Sequence, residues 1–429
     1  MVSSKPKFDV LVVGGGPAGI AAAISAAQAG RRVAIVDDNP ALGGQIWRGE
    51  TIHSDATALA WIAKLRARAV ELFPGTRVFD QPSPGVLRAE TADGLSVFDY
   101  EKLILATGAR ERFVPFPGWT LQNVMGAGAL QALVKAGLPI REKRVVVAGT
   151  GPLLPAVAAY LKKHGAMVVA VCEQASRASL GAFALALLRH PGKIAQAWDL
   201  RKDLSGVDLM TSSWPLVATG NQILESIVIS TNRGEEQIFC DYLACGFHLV
   251  PNTELASLIG CHLEGDFVAV DDLQNTSVPN VLCAGEPTGI GGVDLALVEG
   301  QIAGLVASGQ EAVAADLVNQ RAKYRSFARS LEKAFALRPE LKRLAAPETI
   351  VCRCEDVTLT KLKQHGSWRA AKLQSRCGMG PCQGRICGPA TQFLLGWIPD
   401  SVRPPVLPVK LGNLTSESRE PSRELASVK

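Results

Sequence analysis

The amino-acid sequence predicts an α/β protein in which a unit of β-strand, glycine-rich turn and helix occurs twice, followed by a small α-helical cysteine-rich domain. Three observations predict this arrangement. Residues 8–29, and again the residues that follow Arg144, run from an apolar strand through clustered glycines into an apolar helix. Five of the ten cysteines lie within 36 residues near the C-terminus. We therefore expect three structural parts along the chain.

The composition is that of a folded globular protein. The chain has 429 residues, of which 47% are hydrophobic and 20% charged, enough for two to four domains. The net charge of +5 is spread along the chain, so nothing indicates nucleic-acid binding. The start lacks the apolar core of a secretory signal, and we expect a cytoplasmic protein whose cysteines are thiols or metal ligands.

One segment has the length of a membrane-spanning helix. Val10 to Gly30 contains 21 residues without a charge. The cluster from Gly14 to Pro17 divides this run into a strand and an alanine-rich helix. We therefore expect no transmembrane span, and peripheral contact with the inner face of the membrane stays open.

The first glycine turn has the spacing of a dinucleotide-binding motif. Gly14 would form the tight turn, Gly16 would let the backbone approach a pyrophosphate, and Gly19 would let helix and strand pack closely. The second strand, Val33 to Val36, ends at an aspartate in the place of the acid that binds a ribose hydroxyl. The predicted nucleotide-binding residues here are Gly14, Gly16, Pro17, Ala18, Gly19, Asp37 and Asp38.

A second glycine turn follows the aspartates and favours FAD over NAD. Its residues Gly43, Gly44 and Gln45 would let the backbone approach an isoalloxazine ring. The sequence therefore predicts that the first nucleotide site holds FAD.

Farther along, an apolar strand that begins at Lys102 enters the turn Ala106, Thr107 and Gly108. This turn resembles the ATG motif of flavoproteins with two dinucleotide-binding domains, relatives of glutathione reductase and thioredoxin reductase. The resemblance implies a Rossmann-like FAD domain with an inserted second nucleotide domain, which the chain enters near Gly108 to Gly118.

The second domain repeats the pattern imperfectly. Gly149 and Gly151 follow its first strand and Glu173 ends its second, but Leu154 stands in the third glycine position. The sequence leaves open a working NAD site, a retained structural domain, or another nucleotide such as ATP. The long segment from Gln174 to Ser212 is either surplus helix packing or a docking surface.

A return to the FAD domain is predicted at the strand from Asp241 to Phe247. The segment Thr276 to Glu286 then resembles the last FAD motif of this family, whose acid binds a ribityl hydroxyl. The resemblance assigns that role to Gly285 and Glu286, although the usual acid is Asp. Gly292 and Val293 would begin a helix whose N-terminus faces the pyrimidine end of the flavin.

Disulfide reductases of this architecture carry a paired-cysteine motif, which this sequence lacks. Its five other cysteines are isolated in apolar sequence, and we expect buried inert thiols. The six histidines follow no motif, so no catalytic acid or base is assigned. The isolated cysteines are Cys172, Cys240, Cys245, Cys261 and Cys283.

The clustered cysteines form a C-x-C pair and a C-x4-C pair. Four thiolates suit tetrahedral zinc or a 2Fe-2S cluster, and this spacing is less typical of zinc. The segment resembles the small helical domain of bacterioferritin-associated ferredoxin, which also ends anaerobic glycerol-3-phosphate dehydrogenase. The resemblance implies an iron-sulfur domain with Cys377 as an extra thiol beside the cluster. It places the ligands at Cys352, Cys354, Cys382 and Cys387.

From about Phe8 to about Leu411, the domain order resembles the FAD subunits of hydrogen cyanide synthase, opine oxidase and D-hydroxyproline dehydrogenase. The resemblance implies an electron-transferring subunit that works with an amino-acid-oxidase-like flavoprotein and a small ferredoxin-like subunit, delivering electrons to a respiratory acceptor. The alternatives are a self-contained NADH-dependent ferredoxin or dye reductase and a non-catalytic assembly module.

The expected domain boundaries follow from these motifs. The last part of the chain, rich in proline and then in polar residues, is expected to be extended and, from Thr415, disordered. The predicted ranges are 1–115 for the first part of the FAD domain, 116–248 for the NAD-like domain, 249–318 for the second part of the FAD domain, 319–400 for a helical linker and the 2Fe-2S domain, and 401–429 for the tail.

Overall fold

A computed structural model describes residues 7–48, 55–188, 190–399 and 402–415. The chain forms two compact units. The first contains Met1–Arg110, Pro251–Ala328 and Ser401–Lys429, and the second contains Glu111–Val250 and Arg329–Asp400. The cysteine-rich segment therefore belongs to the same unit as the inserted domain.

The first unit begins with the predicted strand, glycine turn and helix. The helix starts at Pro17, because proline suits the first helical position and Gly16 is extended before it. The elements, in chain order, are β1 Lys7–Val13, α1 Pro17–Gln28, β2 Val33–Val36, α2 Ala56–Arg66, β3 Val70–Phe73, β4 Arg77–Ser83, β5 Val86–Thr91, β6 Gly94–Leu105 and β7 Ala109–Glu111.

The second unit has a five-stranded parallel sheet and a three-stranded antiparallel one. The parallel sheet has the order β11-β10-β9-β15-β8, and the antiparallel sheet consists of β12, β13 and β14. The elements are β8 Val124–Gly126, α3 Ala127–Lys135, β9 Arg144–Thr150, α4 Leu153–Lys163, β10 Met167–Glu173, α5 Arg177–Leu187, α6 Pro191–Asp203, β11 Asp208–Thr211, β12 Trp214–Thr219, β13 Ser226–Thr231, β14 Gly234–Phe239 and β15 Tyr242–Phe247.

The strand that was expected to begin the return, β15, pairs with β8 and β9 in the second unit, and the chain re-enters the first unit at Pro251. A short 3-10 turn covers Glu286–Thr288. The other elements are β16 Leu249–Pro251, α7 Glu254–Ile259, β17 Leu263–Glu264, β18 Phe267–Val268, β19 Val281–Cys283, α8 Gly292–Ala307, α9 Glu311–Ala315 and α10 Val318–Ala334.

The first unit is centred on a seven-stranded sheet of order β3-β2-β1-β6-β5-β4, with β19 also paired to β6. Helices α1 and α8 pack against each other on one face. A Cβ at Gly300 or Gly304 would overlap a backbone carbonyl oxygen of α1, so this close approach requires glycine. The carboxyl ends of β1, β2 and β6 lie together at one edge of the sheet because these strands are parallel.

The cysteine-rich segment is a small, mainly helical domain. Trp368, Leu362 and Val351 form its core together with three cysteines. Helices between the two cysteine pairs were predicted and are confirmed. After a 3-10 turn at Pro339–Arg343, the elements are β20 Ile350–Cys352, β21 Val357–Thr358, α11 Leu359–Lys363, α12 Trp368–Ser375 and α13 Cys387–Leu395.

The tail packs on the first unit. Val406 N donates a hydrogen bond to Phe79 O (2.9 Å), and Asn413 Nδ2 donates one to Glu90 Oε2 (2.7 Å). The described part of the tail ends in the helix α14 Leu411–Thr415, where an extended chain was expected and disorder was expected to begin at Thr415. The rest of the stretch predicted to be disordered, from residue 416, lies outside the described residues.

The 21-residue uncharged run is divided between β1 and α1, as predicted. Within the described residues, no helix combines the length and the apolar character that crossing a bilayer requires. The long segment after Gln174 forms α5 and α6, which expose Leu185, Leu188 and Trp198.

Candidate functional site

The first glycine turn leaves room for a ligand at one position. Gly14 has a φ of +110°, and a Cβ there would overlap Ala106 O, while a Cβ at Gly19 would overlap Gly14 O. Gly16, in contrast, is open, since its nearest neighbour would be Gly44 Cα at 3.9 Å. The two glycine turns therefore meet beside the N-terminus of α1, and the open space beside Gly16, here called the cleft, is where a pyrophosphate would fit.

The acid at the end of β2 is buried beside this cleft. Asp37 accepts a hydrogen bond from Gly15 N and another from Asn39 N (2.7 Å). Burial, and then the adjacent Asp37, raise the pKa of Asp38. The second turn folds back on the first because Gly43 N donates to Gly15 O (2.8 Å). The structure thus brings these predicted residues together.

The Ala106–Thr107–Gly108 turn is tied to Asn252. Thr107 Oγ1 donates to Asn252 O (2.6 Å), and Asn252 Nδ2 donates to Thr107 O (2.9 Å). Asn252 N also donates to Gly108 O (2.9 Å). Asn252 follows β16, and no motif in the sequence assigned it this role.

Glu286 presents an unpaired acceptor. Its Oε1 accepts a hydrogen bond from Gly292 N (3.0 Å), but its buried Oε2 has no partner among the described residues. Burial raises the pKa of Glu286 to about 7. A buried oxygen without a partner is rare and fits a ligand hydroxyl. Together with the open face of Gly16, it makes the first unit fit FAD.

A second carboxylate, Glu299, lies beneath this turn and is fully buried. It accepts hydrogen bonds from Gly285 N (3.0 Å) and Thr288 Oγ1 (2.9 Å). It also pairs with Arg325 Nε (3.1 Å) and Arg321 Nε (3.4 Å). No sequence motif singled out Glu299, because the two arginines lie on a later helix.

In the second nucleotide domain, the glycine turn Gly149 to Gly151 is hydrogen-bonded to Glu173, the acid that ends β10. Glu173 accepts hydrogen bonds from Thr150 Oγ1 (2.8 Å), Gly151 N (2.7 Å) and Ala175 N (2.8 Å), and burial raises its pKa. A Cβ at Gly149 would overlap the backbone of Gly246. The predicted residues Gly149, Gly151 and Glu173 are therefore adjacent.

Five thiols form a continuous group in the cysteine-rich domain. The Sγ atoms of Cys352, Cys377 and Cys387 lie within 4.8 Å of one another, and all three residues are buried. Cys382 interacts with Cys387 and with the exposed Cys354. Cys377, expected as an extra thiol beside the cluster, lies in this buried group of three next to the predicted ligands Cys352 and Cys387. Arg376 has a φ of +64° at the end of α12, and the residue after it points into the core.

Within this group, neighbouring thiols favour the thiolate form of Cys352 by donating hydrogen bonds to it. Hydrogen bonds from Cys377 and then Cys387 lower the pKa of Cys352 to about 2. The bond to Cys352 raises the pKa of Cys377 to about 12. Glycines let the backbone wrap this group, because a Cβ at Gly380 would overlap Cys354 Cβ. Such a set of soft ligands fits a zinc ion or an iron-sulfur cluster.

The remaining cysteines are all buried and free. Burial raises the pKa of Cys172 and of Cys240 to about 12. It also raises the pKa values of Cys245, Cys261 and Cys283. These groups are protonated at neutral pH, in agreement with the expectation of inert thiols.

Comparison with known proteins bears out the fold and the expected resemblance. The sequence pattern of the pyridine nucleotide-disulphide oxidoreductase family matches residues 8–314. The chain is 32% identical to the A subunit of opine oxidase from Rhizobium meliloti, over 95% of this chain and 87% of that protein. It is 30% identical to the HcnB subunit of hydrogen cyanide synthase from Pseudomonas protegens, over 89% of this chain and 90% of that protein.

Two solved structures share the fold. L-proline dehydrogenase from P. horikoshii superimposes with a TM-score of 0.70 at 19% identity, covering 96% of this chain and 80% of that one. Thioredoxin reductase from T. acidophilum superimposes with a TM-score of 0.55 at 20% identity, covering 71% of this chain and 99% of that one. The chain is thus an FAD-dependent oxidoreductase of the pyridine nucleotide-disulphide oxidoreductase family, in the group that contains the opine oxidase A and hydrogen cyanide synthase HcnB subunits.

Proposed function

We propose that this chain is the FAD and 2Fe-2S electron-transferring subunit of a heteromeric amino-acid or imino-acid dehydrogenase, of the D-hydroxyproline, opine or glycine type. The observation that carries the proposal is the combination, in one chain, of an FAD-type glycine cleft and a wrapped group of five thiols. The two relatives named above are both subunits, which supports a heteromeric assembly.

In this proposal the first unit holds FAD through its two glycine turns, its acids and the turn before α8. The thiol group holds the cluster. When bound, FAD accepts electron pairs and the cluster carries single electrons, so a chain with both can connect two-electron to one-electron chemistry. The residues that would hold FAD are Gly14, Gly16, Pro17, Ala18, Gly19, Asp37, Asp38, Gly43, Gly44, Gln45, Ala106, Thr107, Gly108, Gly285, Glu286, Gly292 and Val293.

We assign the cluster ligands to two pairs of cysteines. Cys352 and Cys387 form the buried pair, and Cys354 and Cys382 form the outer pair. Two pairs supply two thiolates to each iron of a 2Fe-2S cluster. Cys377 is then left to donate an S–H hydrogen bond to a ligand sulfur, the kind of outer interaction that tunes such centres.

The chain's own residues around the flavin cleft bind and orient rather than exchange substrate protons. Glu286 offers Oε2 to a ligand hydroxyl, and Glu299 fixes the turn through Gly285. The isolated thiols are buried and protonated, so they supply no nucleophile. We therefore propose that the C–N bond is oxidised on a partner amino-acid-oxidase-like flavoprotein, and that this chain relays electrons towards a respiratory acceptor, in the cytoplasm, with a small ferredoxin-like subunit as a further partner.

The test is to purify the chain alone and in the complex that it forms in its own cell. Each preparation is given a panel of amino and imino acids with an electron-accepting dye. The proposal expects dye reduction only by a complex that contains a second flavoprotein, and no reduction by the chain alone. Rapid dye reduction by the chain alone with NADH would instead establish the self-contained reductase.

A further inference from the structure

The segment Phe335–Arg338, which directly follows α10, is anchored in the second unit by one buried glutamine. Gln174 Nε2 donates to Ala336 O (3.1 Å) and lies 3.5 Å from Phe335 O. Gln174 Oε1 accepts a hydrogen bond from Arg338 N (3.1 Å). The Gln174 side chain is fully buried, and it bonds both a carbonyl oxygen and an amide hydrogen of this segment.

The same hydrogen-bond network reaches the glycine turn of the second nucleotide domain, Gly149 to Gly151. Thr150, between Gly149 and Gly151, accepts a hydrogen bond from Gln174 Nε2 (2.9 Å) and donates one to Glu173 Oε1 (2.8 Å). Its Oγ1 also lies 3.3 Å from Phe335 O. The segment is therefore bonded to the last residue of β9 and to the residue after β10.

Side chains hold the segment on both flanks. Phe335 is 6% exposed and meets the ring of Phe183 edge-to-face, with centroids 5.4 Å apart. The guanidinium of Arg338 lies 5.0 Å from the ring centroid of Trp214. Such packing resists displacement, because opening the segment would expose a buried aromatic ring and unpair buried polar groups.

This position is where the dinucleotide fold places its ligand. In parallel α/β sheets, nucleotides bind outside the carboxyl ends of the strands, and the acid that ends the second strand takes the adenosine ribose. Here Glu173 is that acid, and Gln174 beside it bonds the chain itself. The buried Leu154 also replaces the third glycine. The residues present do not fit the nicotinamide nucleotide that the family name implies.

We propose that the segment Phe335–Arg338 occupies the adenosine half of the second nucleotide crevice, so that this domain anchors the cysteine-rich domain instead of binding NADH or ATP. Gln174 is the positioning residue of this contact. The proposal is independent of the electron-transfer function, because it concerns only the occupant of the second crevice.

The experiment is hydrogen–deuterium exchange on the FAD-loaded full chain, with and without NADH or ATP at about 1 mM, the upper end of usual substrate affinities. In the wild type, we expect slow exchange at residues 335–338 and no change on adding either nucleotide. In Gln174→Ala, which removes both the acceptor of the Arg338 amide hydrogen and the donor to Ala336 O, the Arg338 amide should exchange about tenfold faster, as expected when a buried hydrogen bond is lost.

The matched control is Gln196→Ala, which changes an exposed glutamine on α6 and should leave exchange at residues 335–338 unchanged. Gln174→Glu is measured alongside Gln174→Ala. Its carboxylate still accepts from Arg338 N but cannot donate to Ala336 O, so it should accelerate exchange at Arg338 less than Gln174→Ala does. New protection at residues 149–153, or faster exchange at residues 335–338, on adding NADH or ATP would overturn the proposal. Unchanged exchange in both Gln174 variants would overturn the anchoring role.

Discussion

The fully buried carboxylate of Glu299 accepts the backbone amide hydrogen of Gly285 at 3.0 Å. The same carboxylate pairs with Arg321, which is itself almost completely buried. Gly285 directly precedes Glu286, the residue with the unpaired oxygen at the flavin cleft. The buried ion pair therefore supports the conformation of the turn that we propose to bind the flavin.

Replacing Glu299 with Ala should destabilise the protein by about 3 kcal/mol, because it leaves a buried arginine without one of its partners. The measurement is urea denaturation of the FAD-loaded protein, combined with flavin content. The control is Glu332→Ala, an exposed glutamate on α10, which should change stability by less than about 0.5 kcal/mol. Equal stability of the two variants would show that the network does not support the turn.

Gly16→Val should abolish FAD retention and leave the FAD-free fold intact. A Cβ at Gly16 meets no protein atom closer than 3.9 Å, so the added side chain starts from open space and occupies the position of the pyrophosphate. Flavin content and the thermal midpoint of FAD-free protein are measured together. Gly181→Ala, at an open helical position, serves as the control. Normal flavin content in Gly16→Val would refute the placement of the pyrophosphate.

Glu286→Gln should change the pH dependence of stability in the FAD-free protein. The folded-state pKa of about 7 lies above the ordinary value of 4.5, so the folded protein binds this proton more tightly than the unfolded chain. Stability should therefore fall as the pH rises from about 4.5 to about 7, by about 3 kcal/mol from this group. The variant should lose that slope in urea denaturation measured across this range. A parallel pH profile would contradict the raised pKa.

Cys382→Ser and Cys354→Ser should each lose iron and keep flavin, whereas Cys377→Ser should keep both. The reason is the assignment of Cys377 as a hydrogen-bond donor to a ligand sulfur. Iron and flavin are measured per chain for each variant. Cys261→Ser is the control, since that isolated thiol already contacts Thr276 Oγ1 at 3.6 Å. If Cys377→Ser loses iron and Cys354→Ser retains it, the assignment is wrong: Cys377 is then the ligand and Cys354 is not.

Local patterns sufficed to predict the strands and glycine turns of both nucleotide domains. The spacing of Gly14, Gly16 and Gly19 is fixed because each of the three lies next to other backbone. Gly19 lies against Gly14 of the same turn, and the other two face neighbouring turns. The two closely spaced cysteine pairs likewise made the thiol group predictable. In such cases the residues that interact are close in sequence, or follow a spacing that the chemistry requires.

The relationships that sequence reasoning missed join distant residues. Gln174 bonds a segment more than 160 residues later, and Glu299 pairs with arginines on another helix. Neither pair has a sequence pattern. The burial of Cys377 had no sequence pattern either, because it follows a residue with a left-handed backbone, Arg376. Spacing alone does not show the direction of a side chain after such a residue.

The most direct test of the central claim is the cofactor content of the chain purified without oxygen. We expect about one FAD, about two iron atoms and about two acid-labile sulfides per chain, as a 2Fe-2S cluster requires. The visible spectrum should show flavin bands with an iron-sulfur shoulder that dithionite bleaches. Stoichiometric zinc with no iron-sulfur absorption would contradict the claim that this chain carries single electrons.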